Sequence, residues 1–563
     1  MSWILSTVLI GAGICVPMLF GPMSHAFGRR GAYVMGTLLL AASTAAVTTS
    51  WPPATPALTV RLKVWRSVAV VCGGVVVLAM VASWLLPAVF EGPPDPYRGD
   101  MLVIIDHAIT TFLAGGNPYA IHQVPWDAPL SYGPPLWAPL IVPHLVNTDP
   151  RILTLAAQLT VPAACVLAAA RRAAAGNPTR ALLLFGAGAL IAFSPDIRAF
   201  HVIGHTQIYW PLLLLFCLLL AGGRQTAGAV SLGLLVAART TLVAIVPVFF
   251  LHLLAGRALR PRHCAAFVLG AALPFLPFVL ADAASVRYAM FGVYLKVMKG
   301  FVWHSTTWAV DTYGITGRLL ESGLERYVEV VGLVALTITY AFAWRSLRRG
   351  ERPEPWMALS LLVFSMTTFW SVLYLYFDVW VLLVSALVAR DEFAVSSARQ
   401  SVGAVAACAA GSLAIVVAAA SVHPGARYSL DIGDPATAGF TGAGFGRDVG
   451  VPDGNRTVVW IEGTTARIRL PRASWRRGTI RIDIRPHTPV QGLDQRVLAT
   501  LNDKAIGGAK LRDGWQEIAF AASARQWRYG FNVLTLSFTY AIPGASSGDR
   551  RPLAAAIDRV TID

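Results

Sequence analysis

The sequence GAVSLGLLVAARTTLVAIVPVFFLHLL, residues 228–254, decides the fold class, because one charged side chain, Arg239, interrupts an otherwise apolar run. A helix that crosses the hydrocarbon core of a bilayer needs about 20 apolar residues. Each half of this run is shorter than that. Short or broken helices are tolerated where protein or a water-filled cavity lines them. The stretch therefore predicts two short helices inside a larger bundle of membrane helices.

Apolar segments of this kind fill residues 1–421. The chain has 563 residues, of which 55% are hydrophobic and 13% are charged, whereas about a quarter of a soluble protein is charged. Lipid must therefore cover much of the surface. The first run has no basic region before it and no clear small-residue cleavage site, so we expect a retained helix. We predict thirteen spans, at residues 3–20, 33–49, 67–90, 152–170, 181–194, 208–221, 228–239, 241–254, 264–283, 329–344, 356–374, 377–389 and 401–421.

Clusters of basic residues predict the orientation of these spans, because cytoplasmic loops are enriched in Lys and Arg. If the chain crosses the membrane thirteen times, residues 91–151, 195–207 and 284–328 and the C-terminal region lie on the exported side. A full span at 134–146 would invert this order, so that proline-rich segment is interpreted as a re-entrant or interfacial piece. Arg29 and Arg30 disagree with the threading. Four clusters agree with it: Arg61, Lys63 and Arg66; Arg171, Arg172 and Arg180; Arg257, Arg260 and Arg262; Arg345, Arg348, Arg349 and Arg352.

The first exported loop is rich in polar and aromatic residues. Apolar positions at helical spacing over residues 101–114 predict an amphipathic helix at the membrane interface. Asp100 stands at its start, where the alternative role is an N-cap. Asp106 lies within it, where the alternative is a water-facing side chain. The loop continues with Gly115-Gly116-Asn117-Pro118-Tyr119 and Tyr132-Gly133-Pro134-Pro135.

Two later motifs complete a pattern. Gly204-His205-Thr206-Gln207 precedes the run that begins Ile208-Tyr209-Trp210-Pro211, and Ala237-Ala238-Arg239-Thr240-Thr241 separates two short helices. With the motifs of the first exported loop, they resemble the GT-C superfamily of polyprenyl-phosphate-sugar-dependent glycosyltransferases. The match is closest to the mannosyltransferase-like branch labelled DUF2029 or family 87. The resemblance covers residues 67–421, which leaves 1–66 as extra N-terminal transmembrane helices and 422–563 as a separate domain.

The resemblance implies an inverting transfer at the outer face of a bacterial inner membrane. An aspartate acts as general base on the acceptor hydroxyl, and the donor is a sugar on a polyprenyl phosphate. One base suffices, because the phosphate is already a good leaving group. Asp100 matches the base position and Asp106 is the second candidate. Arg239 matches a basic position that would bind the lipid phosphate, with a structural ion pair as the alternative.

Further side chains are candidates for contacts with donor or acceptor. Arg198, His201 and His205 share the second exported loop and could reach an anion, although each histidine alone is more often a polar loop residue. Lys296, Lys299, His304 and Asp311 alternate with aromatic residues in the third exported loop, which suits either sugar faces or an interfacial aromatic belt. Asp378 lines the cavity or marks a turn. The candidate substrate-binding residues are Asn117, Tyr119, Tyr132, Arg198, His201, His205, Gln207, Arg239, His304 and Asp378.

The C-terminal region, 422–563, predicts an all-β sandwich. Strand-like runs occur at 457–461, 466–470, 479–484, 497–501, 517–520, 533–538 and 556–562, with turn residues between them. Leu501-Asn502-Asp503-Lys504 and Gly514-Trp515-Gln516-Glu517 resemble jelly-roll carbohydrate-binding-like domains. That resemblance implies glycan or acceptor binding, and a structural cap without a ligand is the alternative.

Two other functions use the same features. A flippase for lipid-linked sugars should show repeat symmetry and mid-membrane charges along its path. A polysaccharide polymerase or ligase relies on arginines and a histidine in outer loops, which keeps Arg198, His201 and His205 relevant. The expected partners are a polyprenyl-phosphate sugar, a lipid or glycan acceptor and membrane lipids, but no nucleic acid, since the net charge of +16 follows from the basic loops. No cofactor motif or metal-ligand spacing indicates a cofactor, and the need for a divalent metal stays open.

Overall fold

The protein is mostly helical, with a separate antiparallel β region at its C-terminal end. The computed structural model describes residues 64–94, 99–124, 126–175, 177–204, 207–294, 314–369, 371, 374–392, 397–422, 428–446, 451–453, 456–487, 494–543 and 551–563. The predicted spans 3–20 and 33–49 lie outside these residues. The other eleven predicted spans correspond to helices, although several helices begin or end a few residues away from the predicted boundaries.

The helical region comprises eighteen described α-helices. They are α1 Val64–Leu85, α2 Ala88–Glu91, α3 Met101–Leu113, α4 Pro134–Trp137, α5 Ile141–Leu145, α6 Pro150–Ala174, α7 Pro178–Ala192, α8 Pro195–Ile203, α9 Trp210–Ala221, α10 Gln225–Ala238, α11 Val246–Ala255, α12 Pro261–Ala272, α13 Leu276–Arg287, α14 Gly314–Glu321, α15 Val328–Leu347, α16 Glu354–Thr367, α17 Tyr374–Glu392 and α18 Ala398–Val422.

Five helical stretches in the described chain are long and apolar enough to cross a membrane. Helices such as α9 and α10 are apolar but shorter, and at 1.5 Å per residue they fall short of a hydrocarbon core of about 30 Å. The predicted re-entrant segment 134–146 consists of α4, a 3-10 turn and α5, none of which is long enough to span. The five long stretches are Ser67–Glu91, Pro150–Ala174, Pro261–Gly292, Glu325–Leu347 and Ala398–Val422.

Local sequence explains where the central helices begin. Asp149, Asn177 and Ser194 each precede a proline and accept a hydrogen bond from a backbone N–H in the first turn of α6, α7 and α8. Proline suits the first helical position, because its ring presets the helical φ and no N–H is left unpaired. A polar cap residue followed by proline therefore begins a new helix at three positions within about 50 residues.

Helix α6 is the centre of the bundle and gives it two distinct ends. It is almost wholly buried and packs against α1, α7 and α18. Its N-terminus, at Asp149, lies at the end that also contains the C-terminus of α18. Because α6 and α7 are consecutive helices packed against each other, the basic residues Arg171, Arg172 and Arg180 between them lie at the opposite end.

The C-terminal domain contains two antiparallel sheets around one apolar core. The larger sheet has the order β10-β7-β13-β5-β4, with β3 and β12 also beside β13, and the smaller has the order β6-β11-β8-β9. All seven predicted strand-like runs are strands. The strands are β3 Tyr428–Asp431, β4 Val451–Asp453, β5 Arg456–Glu462, β6 Thr465–Arg472, β7 Gly478–Pro486, β8 Arg496–Leu501, β9 Lys504–Lys510, β10 Gln516–Ala522, β11 Gly530–Phe538, β12 Ile542–Pro543 and β13 Pro552–Ile562, and a hairpin in the helical region supplies β1 Ile121–Val124 and β2 Trp126–Pro129.

The β domain docks on the start of α6 through Tyr529. The backbone N–H of Asp149 donates to the carbonyl of Tyr529 at 2.7 Å, and that of Tyr529 donates to Asn147 at 3.1 Å. The Tyr529 ring is fully buried between Trp475, stacked at 4.3 Å, and Phe90, edge-on at 5.4 Å. Gly530 has φ +112°, and a Cβ there would lie 2.3 Å from the Asp149 Cβ. The backbone contact thus requires glycine after Tyr529.

Candidate functional site

Arg239 is buried at the end of the bundle where the β domain docks, and its guanidinium makes no hydrogen bond to a described residue. It leaves helical geometry between α10 and the 3-10 turn Thr240–Ile245, at φ −141° and ψ 106°. The residue is 8% exposed, and no hydrogen bond or ion pair joins its guanidinium to any residue that the structure describes. Its charge lies over the rings of Tyr374, at 4.8 Å, and Tyr132, at 6.0 Å. A buried guanidinium that makes no hydrogen bond or ion pair within the described residues is available for an anion.

Backbone packing brings Tyr132 to Arg239. A Cβ on Gly133 would lie 1.8 Å from the carbonyl oxygen of Ala237, two residues before Arg239. Only glycine permits this approach. On the other side, the Tyr119 hydroxyl donates to the Tyr132 carbonyl at 3.3 Å and accepts from Trp137 Nε1 at the same distance. Tyr119, predicted to contact substrate, is itself buried and supports the loop that presents Tyr132.

Asp100 lies at the start of α3 but does not cap it with its side chain. Its backbone carbonyl accepts from Ile104 N–H at 2.9 Å, and its carboxylate makes no capping bond. Burial raises the pKa of Asp100 above its usual range, and a hydrogen bond from its own backbone N–H opposes that rise. The carboxylate is within electrostatic range of Tyr132 and Tyr294, and both tyrosines also interact with Arg239. The structure therefore brings Asp100 and Arg239 within electrostatic range of the same two tyrosines.

Asp378 is also part of this cluster, but its oxygens are occupied. It lies in the first turns of α17 and is 1% exposed. The Tyr209 hydroxyl donates to its two oxygens at 2.8 and 2.9 Å, and Trp210 Nε1 donates to Oδ1 at 3.0 Å. Asp378 interacts electrostatically with Arg239 without a direct hydrogen bond. Because its oxygens already accept hydrogen bonds from α9, Asp378 suits a structural link between α17 and α9 better than a direct ligand.

Gln207 links the loop before α9 to helix α6. It is buried just before α9, and its Oε1 accepts from Gln158 Nε2 of α6 at 2.8 Å. The pair joins the loop before Tyr209 to the central helix. Gln207 thereby positions the residues that hold Asp378.

Asp106 and Asn117 form hydrogen bonds with residues outside the cluster around Arg239. Asp106 is on the exposed face of α3 and pairs with His144 at 3.3 Å. Asn117 Oδ1 accepts from the Tyr119 N–H at 2.9 Å, and its Nδ2 donates to Asp282 at 3.4 Å. The first is the water-facing residue that the sequence offered as an alternative, and the second shapes the turn before β1.

Arg198 and His201 form a second cluster on α8. Arg198 pairs with Glu91 and lies over the Trp84 ring at 5.6 Å. His201 is fully buried, and neither ring nitrogen bonds any residue that the structure describes. Burial, reinforced by the charges of Arg151 and Arg198, lowers the pKa of His201 to about 3. The imidazole is therefore neutral at ordinary pH and is not a cation for a phosphate.

Several predicted residues lie outside the described chain. These are His205 in the second exported loop and Lys296, Lys299, His304 and Asp311 in the third. Within the described ranges, no group of three or more His, Cys, Asp or Glu side chains is arranged to hold a metal ion.

Sequence analysis missed four residues that the structure places at or beside the site. Tyr294 lies near Ser131 and is within electrostatic range of both Asp100 and Arg239. Tyr209 and Trp210 were present in a quoted motif but had no assigned role. Gln158 is a polar residue within an apolar span, and such residues usually face the bundle interior. That position was the available signal for Gln158, whereas nothing local marked Tyr294.

Comparisons with known proteins add no family assignment. No protein-family model matches the chain, and no curated protein matches it in sequence.

Proposed function

We propose that this protein is an inverting membrane glycosyltransferase that moves a sugar from a polyprenyl-phosphate donor to a lipid or glycan acceptor. The observation that carries the proposal is the buried guanidinium of Arg239, which has no partner in the described chain and lies over the rings of Tyr374 and Tyr132. Burying guanidinium donors without hydrogen-bond acceptors is costly, and Asp378 interacts with Arg239 without bonding it. A lipid phosphate would supply the acceptors.

Asp100 is the proposed general base. Its carboxylate neither caps α3 nor bonds another described side chain, so it is free to accept a proton. A raised pKa makes it a stronger base than an exposed aspartate while the start of α3 favours its charged form. Tyr132 and Tyr294 are within electrostatic range of both Asp100 and Arg239, and the sugar would bind beside them. The transfer forms the acceptor oxygen to anomeric carbon bond, breaks the bond to the phosphate oxygen, and gives the hydroxyl proton to Asp100.

The proposed setting is a bacterial inner membrane, with about thirteen spans, a GT-C-like arrangement and the site on the exported face. Basic residues between α6 and α7 lie at the end opposite the site, which supports this orientation under the positive-inside rule. The β domain docks at the site's end and would share its compartment. Its two packed sheets are compatible with a jelly-roll and with either glycan binding or a structural cap.

The test compares purified variants in membranes that contain a labelled polyprenyl-phosphate sugar and native lipid acceptors. Asp100→Asn should reduce transfer by at least about 100-fold, the usual contribution of a general base. Asp106→Asn is the matched control and should keep near-normal transfer. Full transfer by Asp100→Asn would exclude the assignment of the base.

A second pair of variants separates this proposal from a polymerase or ligase. Arg239→Gln should weaken donor binding, whereas Arg198→Gln should not, since Arg198 already pairs with Glu91. Loss of transfer in Arg198 or His201 variants, with Arg239→Gln unaffected, would favour the polymerase or ligase.

A further inference from the structure

The turn between β6 and β7, residues 473–477, presents one tryptophan and two arginines at the end of the β domain that docks on the bundle. Trp475, Arg476 and Arg477 are all exposed. One face of the Trp475 ring stacks on the buried ring of Tyr529 at 4.3 Å. The turn therefore lies directly beside the contact that joins the two parts of the chain.

Hydrogen bonds from Arg472 fix the backbone of this turn. Its Nη2 donates to the carbonyl oxygens of Arg476, at 3.3 Å, and Arg477, at 3.1 Å. A Cβ on Gly478 would lie 2.4 Å from the Arg472 guanidinium, so the glycine after the turn leaves room for that side chain. The turn thus presents its three exposed side chains from a fixed backbone.

Two membrane helices end beside the turn. The Tyr529 hydroxyl donates to the carbonyl of Ala420, near the end of α18, at 3.4 Å. The Tyr529 ring also packs against Phe90, at the end of the long apolar stretch Ser67–Glu91. Most residues in the apolar windows of this stretch and of α18 are not buried inside the protein, so lipid must cover them. The bilayer therefore extends along both helices toward the turn.

Trp84 indicates how deep the bilayer surface lies at this end. Its ring is exposed near the end of α1, and the guanidinium of Arg198 lies over it at 5.6 Å. Tryptophan is enriched at the boundary between hydrocarbon and headgroups, and arginine extends its charge toward the headgroups. Trp84 precedes Phe90 by six residues, which is about 9 Å along a helix. The boundary therefore lies about 10 Å from the aromatic contact that supports Trp475.

The charges of Arg476 and Arg477 are not compensated within the described chain. Neither guanidinium forms an ion pair or a side-chain hydrogen bond with a residue that the structure describes, whereas the nearby Arg481 is paired with Glu517 and Asp563. Two such charges next to a bilayer surface attract anionic headgroups.

We propose that residues 473–477 bind the anionic phospholipid headgroups beside α1 and α18. The Trp475 ring lies in the interfacial layer, and Arg476 and Arg477 donate hydrogen bonds to headgroup phosphates. This contact adds a lipid attachment to the protein contact at Tyr529, so the β domain rests on both the bundle and the membrane. It does not depend on the reaction that the bundle catalyses.

The experiment measures how fast phenylglyoxal modifies each arginine of the full-length wild type. The protein is placed in nanodiscs of phosphatidylcholine, with or without phosphatidylglycerol, and mass spectrometry reports each rate. Phosphatidylglycerol should slow the modification of Arg476 and Arg477 by about fivefold, the effect expected for one arginine at an anionic surface. Arg512 is the matched control and should not change. It is exposed in the turn before β10, which lies at the other end of β7, about 20 Å away.

Two results with the wild type would overturn the proposal, and neither needs a variant to fold. Rates for Arg476 and Arg477 that are the same in both nanodiscs would exclude binding of anionic lipid, whether a protein or glycan partner covers the turn or nothing does. Equal protection by inorganic phosphate, added to the protein in neutral detergent, would assign the turn to a soluble anion instead.

A pair of variants tests whether the contact supports the fold. Phosphatidylglycerol should raise the thermal midpoint of the wild type and of Arg512→Gln by the same amount. The double variant Arg476→Gln/Arg477→Gln should gain less, because it lacks the charges that bind the headgroups. An equal gain in the double variant would contradict the proposed attachment.

Discussion

Arg151 donates two hydrogen bonds to the carboxylate of Asp149, from Nε to Oδ1 at 3.0 Å and from Nη2 to Oδ2 at 2.8 Å. Both side chains are buried. The remaining guanidinium donors reach the carbonyls of Val89, Gly92 and Val202. The same Asp149 receives the Tyr529 contact of the β domain through its backbone. One ion pair therefore joins the end of α2, the end of α8 and the β domain at the start of α6.

Replacing Asp149 with alanine should detach the β domain and destabilise the protein. A buried guanidinium left without its carboxylate typically costs about 3–5 kcal/mol. Thermal unfolding in detergent should show a lower midpoint, and limited proteolysis should release a fragment that contains residues 428–563. Lys510→Met removes an exposed pair with Asp494 and should change little. Wild-type resistance to proteolysis in Asp149→Ala would contradict this role.

Asp100 should control the acid side of the pH–activity profile. The proposed base must be deprotonated to work, and burial raises its pKa. Transfer should therefore fall as the pH drops through a value above the ordinary aspartate pKa of about 3.9. The measurement is the transfer rate from pH 4 to 8 in the wild type and in Asp106→Asn. Both should show the same acid limb, and a limb that moves in Asp106→Asn would assign it to the wrong carboxylate.

Asp100→Asn should be more stable than the wild type at pH 7 while it is inactive. The folded-state pKa of Asp100 lies above its unfolded value, so its ionisation opposes folding. Its favourable contribution is complete below about pH 3.9 and is lost as the pH rises through the folded-state pKa. Asparagine cannot ionise and escapes this penalty. Thermal melts at pH 4 and pH 7 should show the larger gain at pH 7; a gain that does not depend on pH would have another cause.

Gly133→Ala should displace Tyr132 or Arg239, although Gly133 itself has no side chain to contact a ligand. Its Cβ would lie 1.8 Å from the Ala237 carbonyl, so either the loop or the end of α10 must move, and with it Tyr132 or Arg239. Overpacking of this kind costs about 1–3 kcal/mol. Gly186→Ala is the matched control, because nothing lies within 4 Å of its added Cβ in the middle of α7. The control should be neutral or stabilised by up to about 1 kcal/mol, and donor binding should fall only in Gly133→Ala.

His201→Leu should stabilise the protein, most clearly in mild acid. Two unpaired ring nitrogens in the interior cost about 1–3 kcal/mol. The folded-state pKa of about 3 lies below the unfolded value near 6.5, so the neutral imidazole contributes stability above pH 6.5 that is lost as the pH falls toward 3. Leucine should flatten that decline in melts from pH 7 to 4. An unchanged decline would show that His201 does not cause it.

Local patterns predicted most of the helices and strands and part of the site. Apolar runs located helices at eleven of the predicted spans, five of which include stretches long enough to cross a membrane, and strand-like patterns located seven strands. The motif at Tyr132-Gly133 and the charge at Arg239 both indicated residues of the candidate site. For Arg239 the reason is that a charge inside an apolar run must face a cavity or a partner. Asp106 and Asn117 were selected by residue type and sequence position, and those criteria do not report which side of α3 or of a turn a residue occupies.

The sequence by itself determined that the chain belongs in a membrane, that it ends in a β domain and that Arg239 is a buried charge. Composition and periodicity are enough for these three conclusions, because the free energy of transferring a segment from water to lipid depends on the side chains within that segment. Only the tertiary structure decided that Arg239 makes no hydrogen bond within the described residues, that Tyr294 lies within electrostatic range of both Arg239 and Asp100, and that Asp378 accepts hydrogen bonds from Tyr209. These relationships join residues up to about 190 positions apart, so packing among several helices creates them, and no local pattern contains them.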